Sequence, residues 1–115
     1  MNTRVIGSFE EDVAISYLKE NGFEILEQNF KCKIGEIDVI AKKDNAIRFI
    51  EVKYRKGNVA GGAHYTISKS KLIKISKIAS FYIMTHPNGN SSYSIDAIII
   101  ENDCIEYLEN IFGGM

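Results

Sequence analysis

The chain has 115 residues, 45% of them apolar and 25% charged, with a single proline. This composition fills one packed core and excludes a disordered or collagen-like polypeptide. No segment approaches the ~18 apolar residues of a membrane span, and no long apolar stretch follows the N-terminal arginine. One cytoplasmic domain over residues 1–115, without membrane contact, is therefore expected, and the order of elements below makes it α/β. The net charge of −1 argues against a domain that is basic throughout. Its distribution is uneven, however: Lys53, Arg55, Lys56, Lys69, Lys71, Lys74 and Lys77 form a run with no Asp or Glu among them. Cys32 and Cys104 lack Cys-x-x-Cys spacing, and His64 and His86 are not spaced as ligands beside them. Structural zinc is disfavoured and reduced thiols are expected.

The first periodic segment predicts a helix over residues 8–21. Ser8 would be the N-cap, Glu11 would stand at the capping-box position, and Gly22 would end it. Phe9, Val13 and Tyr17 share one side, Ala14 and Leu18 extend it, and both Glu10 and Glu11 border or interrupt this apolar surface. Strands are expected over 23–30, 34–41 and 46–55, the last two joined by the turn residues Lys43, Asp44 and Asn45 as a hairpin. Residues 57–66 hold Gly57, Gly61 and Gly62 without periodicity and read as a loop, lacking the lysine and spacing of a phosphate-binding loop. A second helix is predicted over 68–85, with Leu72, Ile75, Ala79, Tyr82 and Ile83 inward, Lys69, Lys74 and Lys77 outward, and Lys71 at the margin of the stripe. A strand over 93–101, apolar on both faces at Ile98, Ile99 and Ile100, a short strand over 104–107 and the apolar pair Ile111 and Phe112 complete the order.

The chemistry-bearing residues lie on the hairpin. Residues two apart on a strand face the same way, so Glu51 and Lys53 oppose Ile50, Val52 and Tyr54. Likewise Glu36, Asp38 and Ile40 oppose Ile37, Val39 and Ala41. If the charged faces coincide, Asp38, Glu51 and Lys53 converge with a carboxylate from Glu10 or Glu11. Hard carboxylate oxygens beside a lysine are what Mg²⁺- or Mn²⁺-dependent phosphodiester cleavage requires, with Asp38, Glu51 and the Val52 carbonyl as metal ligands and Lys53 orienting the nucleophile. Exposed ion pairs on a strand surface are the competing reading of Glu51 and Lys53.

Gly35-Glu36-Ile37-Asp38 followed by Phe49-Ile50-Glu51-Val52-Lys53-Tyr54-Arg55 resembles the YraN-like family of the PD-(D/E)xK superfamily, similar in fold to Holliday-junction resolvases. Glu11-Asp12-Val13-Ala14, Gly22-Phe23-Glu24-Ile25-Leu26, Asn29-Phe30, Lys71, Ile95-Asp96-Ala97 and Asn110-Ile111-Phe112 extend the resemblance along nearly the whole chain. It implies a restriction-endonuclease-like mixed sheet flanked by helices. The catalytic set it implies is Glu11, Asp38, Glu51 and Lys53, with Asp38, Glu51 and Val52 on Mg²⁺ or Mn²⁺. Glu10 stands where the family pattern prefers glycine, so the resemblance selects Glu11. DNA is the expected partner, met by Arg55, Lys56, Lys69, Lys71 and Lys74; branched DNA and a homodimer that cuts both strands are further expectations. A binding module with little activity is the alternative function, and an assembly role for Ile111 and Phe112 is a third reading. Asp96 is expected to be structural.

Overall fold

The computed structural model describes residues 4–55, 67–87, 89, 91–102 and 104–112, with side chains in the first helix described from Glu11 onward and that of Arg55 left out. The order is α1 (Arg4–Glu20), β1 (Glu24–Lys31), β2 (Glu36–Lys43), β3 (Ala46–Arg55), α2 (Lys69–Thr85), β4 (Ser92–Glu101) and β5 (Cys104–Leu108). The strands form one mixed sheet in the order β1-β2-β3-β4-β5. Among the described strands, β3 and β4 make the parallel pairing; they are joined through α2 and run in continuous register from Ala46↔Ser92 to Arg55↔Glu101.

Helix α1 begins four residues before Ser8, which therefore lies inside the helix and is not its cap. The stop at Gly22 holds, and its chemistry is complete. Gly22 takes the left-handed conformation (φ 86), its N–H donates to the Lys19 carbonyl at 3.2 Å, and the Phe23 N–H donates to the Leu18 carbonyl at 2.9 Å. Phe23 and Leu18 then pack in the same core cluster, the hydrophobic contact that accompanies such an ending. The buried stripe of α1 is centred on Ala14 and Leu18, both 0% exposed, with Ile15 beside them and Val13 and Tyr17 only partly covered. Ala14 and Leu18, expected to extend the surface of Val13 and Tyr17, are its centre, with Glu11 in line with them; the side chain of Phe9 lies outside the described residues.

The hairpin turn between β2 and β3 places Asp44 (φ 54) and Asn45 (φ 59) in left-handed conformations between the paired Lys43 and Ala46. This is a two-residue turn whose twist matches its strands. The Asn45 carbonyl also accepts the Ser92 N–H at 3.1 Å, tying the turn to the first residue of β4. Ser68 caps α2, its hydroxyl accepting the Lys71 N–H.

Alternate residues of the central strands supply two cores. On the α1 side, Val39, Ala41, Ile50, Ile98 and Ile100 meet Ala14, Ile15, Leu18 and Phe23. On the α2 side, Ile40, Ile47, Phe49 and Ile95 meet Ile75, Ile78, Ala79 and Tyr82. The Ile98-Ile99-Ile100 run is buried throughout, as a strand covered on both faces requires. Ile111 and Phe112 pack against the α2-side core, and Ile111 donates its N–H to the Ile95 carbonyl. Their apolar character is thus accounted for within the chain, which removes the motive for reading them as an assembly surface. No helix among the described residues is long and apolar enough to cross a membrane, and Cys32 and Cys104 are both free thiols.

Candidate metal centre

Pairing between β2 and β3 runs from the turn to Val39↔Ile50. The next residue of β2 is Asp38, and instead of continuing the backbone ladder it accepts the Val52 N–H on its Oδ2 at 2.8 Å. A strand residue sends its N–H and C=O toward the same neighbour. The Val52 carbonyl therefore faces this same edge, where the ladder has ended. Glu51 is adjacent. Its side chain is 11% exposed and its Oε1 lies 3.5 Å from the Lys71 Nζ on α2.

Strict strand alternation fails at this point. Ile37 packs with Ile40 in the α2-side core, and Phe30, paired with Ile37, joins them. The cause lies across the strand pair. Asn29, which falls between the pairs Gln28↔Val39 and Phe30↔Ile37 and hence level with Asp38, has φ 53. A left-handed residue turns the chain out of its pleat, and asparagine is among the few side chains that tolerate this. The expected grouping of Ile37 with Val39 and Ala41 is corrected accordingly.

Asn29 also brings in the helix. Its Nδ2 donates to the Glu11 Oε2 at 3.0 Å, so Glu11 is attached to the strand residue level with Asp38. The side chain of Glu10 lies outside the described residues. Among the described residues of α1, Glu11 is thus the carboxylate linked, through Asn29, to the β1–β2 pair. Asn29 is the residue that a reading by charge alone misses; its signal is an asparagine inside an otherwise strand-forming segment, where that residue is depleted.

Burial, and then the neighbouring Glu51 carboxylate, push the Asp38 carboxyl up to about 6; the Val52 N–H and the Lys71 charge oppose them, and Glu36 adds to the rise. Two acidic groups held close in a partly desolvated corner resist simultaneous ionisation unless a cation joins them. Among the described residues no three His, Cys, Asp or Glu side chains converge in ligating positions. The donors that could hold an ion at this corner are the two carboxylates of Asp38 and Glu51 and the Val52 carbonyl. All are oxygens, the set that suits a hard divalent ion keeping several of its waters. Lys53 follows two residues along β3 with an exposed side chain. Lys69, Lys71 and Lys74 are exposed on α2, whereas Lys56 and residues 57–66 lie outside the described residues, as does the Arg55 side chain.

Asp96 is apart from this centre. It is 0% exposed and accepts from Arg48 Nη1 at 3.3 Å, Ser94 Oγ at 2.9 Å, the Asn110 N–H at 2.8 Å and the Tyr107 hydroxyl. Its register partner is Ile50, on the α1 side of the sheet, whereas Glu51 meets the α2 lysine. Asp96 ties β5 and the segment after it to the sheet, the structural role expected of it.

Two helices flanking a five-stranded mixed sheet, with carboxylates gathered where β2 leaves β3, define an α/β protein compatible with the restriction-endonuclease-like fold. The chain belongs to the uncharacterised protein family UPF0102, which matches residues 10–100 and so includes Glu11, Asp38, Glu51, Lys53 and Lys71. It is 46% identical to a UPF0102 protein of Helicobacter hepaticus over 96% of this chain and 97% of the relative. It is 39% identical to one of Fusobacterium nucleatum over 99% and 96%, and 46% identical to one of Campylobacter lari over 88% of each. These names state a family and no activity.

Proposed function

We propose that this protein is a Mg²⁺- or Mn²⁺-dependent nuclease that hydrolyses DNA phosphodiester bonds. The observation that carries the reading is the Asp38 carboxylate, fastened by the Val52 N–H at the end of the β2–β3 ladder with Glu51 beside it. Asp38, Glu51 and the Val52 carbonyl would hold the ion. A bound divalent ion would supply Lewis-acid charge and a more acidic water. Lys53 would orient the attacking water and meet the charge developing on the phosphate. Glu11 would act through Asn29, keeping the β1–β2 pair in the shape that presents Asp38. The exposed lysines of α2 would meet the DNA backbone, whose phosphates favour such contacts irrespective of sequence.

The test is cleavage of plasmid, single-stranded, flap and four-way-junction DNA with each metal. Asp38→Asn and Lys53→Ala should each lower the rate by roughly a hundredfold or more, in the range of lost electrostatic stabilisation. Unchanged rates in both variants would sink the assignment. A nucleic-acid-binding module without cleavage is the second reading, favoured by the exposed Lys69, Lys71, Lys74 and Lys77 along one helix. Salt-sensitive binding of uncut DNA with both metals would select it. Cutting both strands together calls for two such sites, and the mass in solution tests for the dimer that would provide them.

A further inference from the structure

The cation facing the carboxylate pair from α2 comes from an element that carries none of the proposed metal ligands. The Lys71 Nζ lies 3.5 Å from the Glu51 Oε1, and the lysine charge also acts on Asp38. The two partners differ in freedom: the Lys71 side chain is 47% exposed and that of Glu51 11%. The lysine backbone is held, since its N–H donates to the Ser68 cap at 3.2 Å. Rotation of the long side chain is therefore enough to break the pair. A half-exposed ion pair is weak enough to exchange. An ammonium and a divalent ion drawn to the same carboxylate repel each other, so occupancy by one disfavours the other. Once released, Lys71 finds no acidic residue in its own helical turn. With Lys69 and Lys74 exposed on the same helix, the anion best placed to receive it is a nucleic-acid phosphate.

Resting on the metal-centre reading above, we infer that Lys71 is a positioning residue that neutralises Glu51 in the metal-free protein and exchanges for the divalent ion when a phosphodiester offers it another anion. Metal and nucleic acid then bind cooperatively, because each removes an obstacle to the other.

The exchange is read by titrating the full chain with Mn²⁺ and following free ion by electron paramagnetic resonance, with and without a phosphorothioate-protected duplex oligonucleotide. Without the oligonucleotide, Lys71→Met should bind Mn²⁺ roughly fivefold more tightly than the unmodified protein, the gain expected from removing a weak competing pair. Adding the oligonucleotide should tighten Mn²⁺ binding by the unmodified protein by a similar factor and leave Lys71→Met unchanged. Lys71→Arg, which restores the competing charge, should behave as the unmodified protein does. Equal Mn²⁺ affinity of the unmodified protein and Lys71→Met would overturn the exchange while leaving the metal centre standing. So would a Lys71→Met protein that still responds fully to the oligonucleotide. Absence of Mn²⁺ uptake by both, or uptake that survives Asp38→Asn undiminished, would overturn the metal centre and the exchange together.

Discussion

Asp38 is held at a cost to the metal-free fold. A carboxyl raised from 3.8 to about 6 by burial and by Glu51 stays protonated in the folded chain over a range where the unfolded chain has released its proton. Its contribution to stability is present below the unfolded value and is lost as pH rises through about 6. Asp38→Asn retains an oxygen for the Val52 N–H and carries no charge. It should therefore match the unmodified protein near pH ~4 and exceed its stability by roughly 1–3 kcal/mol above pH ~7, since each tenfold change in proton affinity corresponds to about 1.4 kcal/mol. Urea unfolding of the metal-free proteins across this range measures the difference. An advantage that does not grow with pH would show that the Asp38 charge is not strained. At Asn29, opposite it, two effects separate by substitution. Asn29→Gly loses the bond to Glu11 but keeps a residue at ease at φ 53, whereas Asn29→Ala loses the bond and strains the backbone. Alanine should be the more destabilising by roughly 1 kcal/mol in thermal unfolding. Equal losses would assign the whole effect to the hydrogen bond. The pair also marks what the sequence leaves unwritten. Asp38 and Glu51 stand out by charge and spacing, but the reversal of pleat at Asn29 depends on one backbone angle that no periodicity reports.

Among the elements, α2 is the most legible. A regular apolar stripe and a lysine at its margin both appear in the sequence and in the structure, whereas Ser68, expected as the first helical residue, proves to be the cap. The start of α1 is harder to read because Ser8 has the chemistry of a cap without the position of one, whereas Gly22 has both the chemistry and the position of a stop. Element β5 shows what local pattern cannot convey. Its short sequence is strand-like, but its hold on the sheet comes from Asp96, eleven residues before Tyr107. Burial, followed by the hydrogen bond to Asp96 and its charge, pushes the Tyr107 phenol well above the usual tyrosine range. In the folded protein Tyr107 therefore keeps its proton above pH ~10, where the unfolded chain would lose it. The stability this confers is present below pH ~10 and falls as pH rises beyond it. Thermal unfolding should decline steeply between pH ~9 and ~11, and Tyr107→Phe should flatten that decline while lowering stability at neutral pH by about 1–3 kcal/mol. Tyrosinate absorbance gives an independent reading: one phenol should ionise only with unfolding. Its disappearance as a separate step in the unmodified protein, with no change in slope for Tyr107→Phe, would count against the lock.

Over the whole molecule, the sheet changes character at β3, antiparallel to β2 on one side and parallel to β4 on the other. The carboxylates gather where the antiparallel side stops, and α2, the connection demanded by the parallel side, delivers Lys71 to the same place. The order of elements and the charge run are both readable in the sequence. Their meeting is not, because it depends on a crossover that returns the chain from residue 69 toward residue 51. This topology explains how a chain with net charge −1 can present a locally basic surface. Lys69 and Lys71 stand in the first turn of α2, where the helix dipole disfavours cations by a few tenths of a kcal/mol each, and the Glu51 carboxylate facing Lys71 offsets that cost. If Lys69, Lys71 and Lys74 each contact a phosphate, the logarithm of DNA affinity should fall with that of salt at a slope of roughly −2.7, about 0.9 per contact. That is a loss of about fortyfold between 50 and 200 mM salt. Each single alanine substitution should make the slope shallower by about one unit and weaken binding similarly for all duplex sequences. Lys42→Ala and Lys43→Ala, at the hairpin turn away from the site, should leave it unchanged. Fluorescence anisotropy over this salt range measures the unmodified protein and all five variants. A slope that ignores the α2 lysines but responds to Lys42 or Lys43 would move the nucleic-acid surface to the opposite end of the sheet and separate it from Asp38 and Glu51.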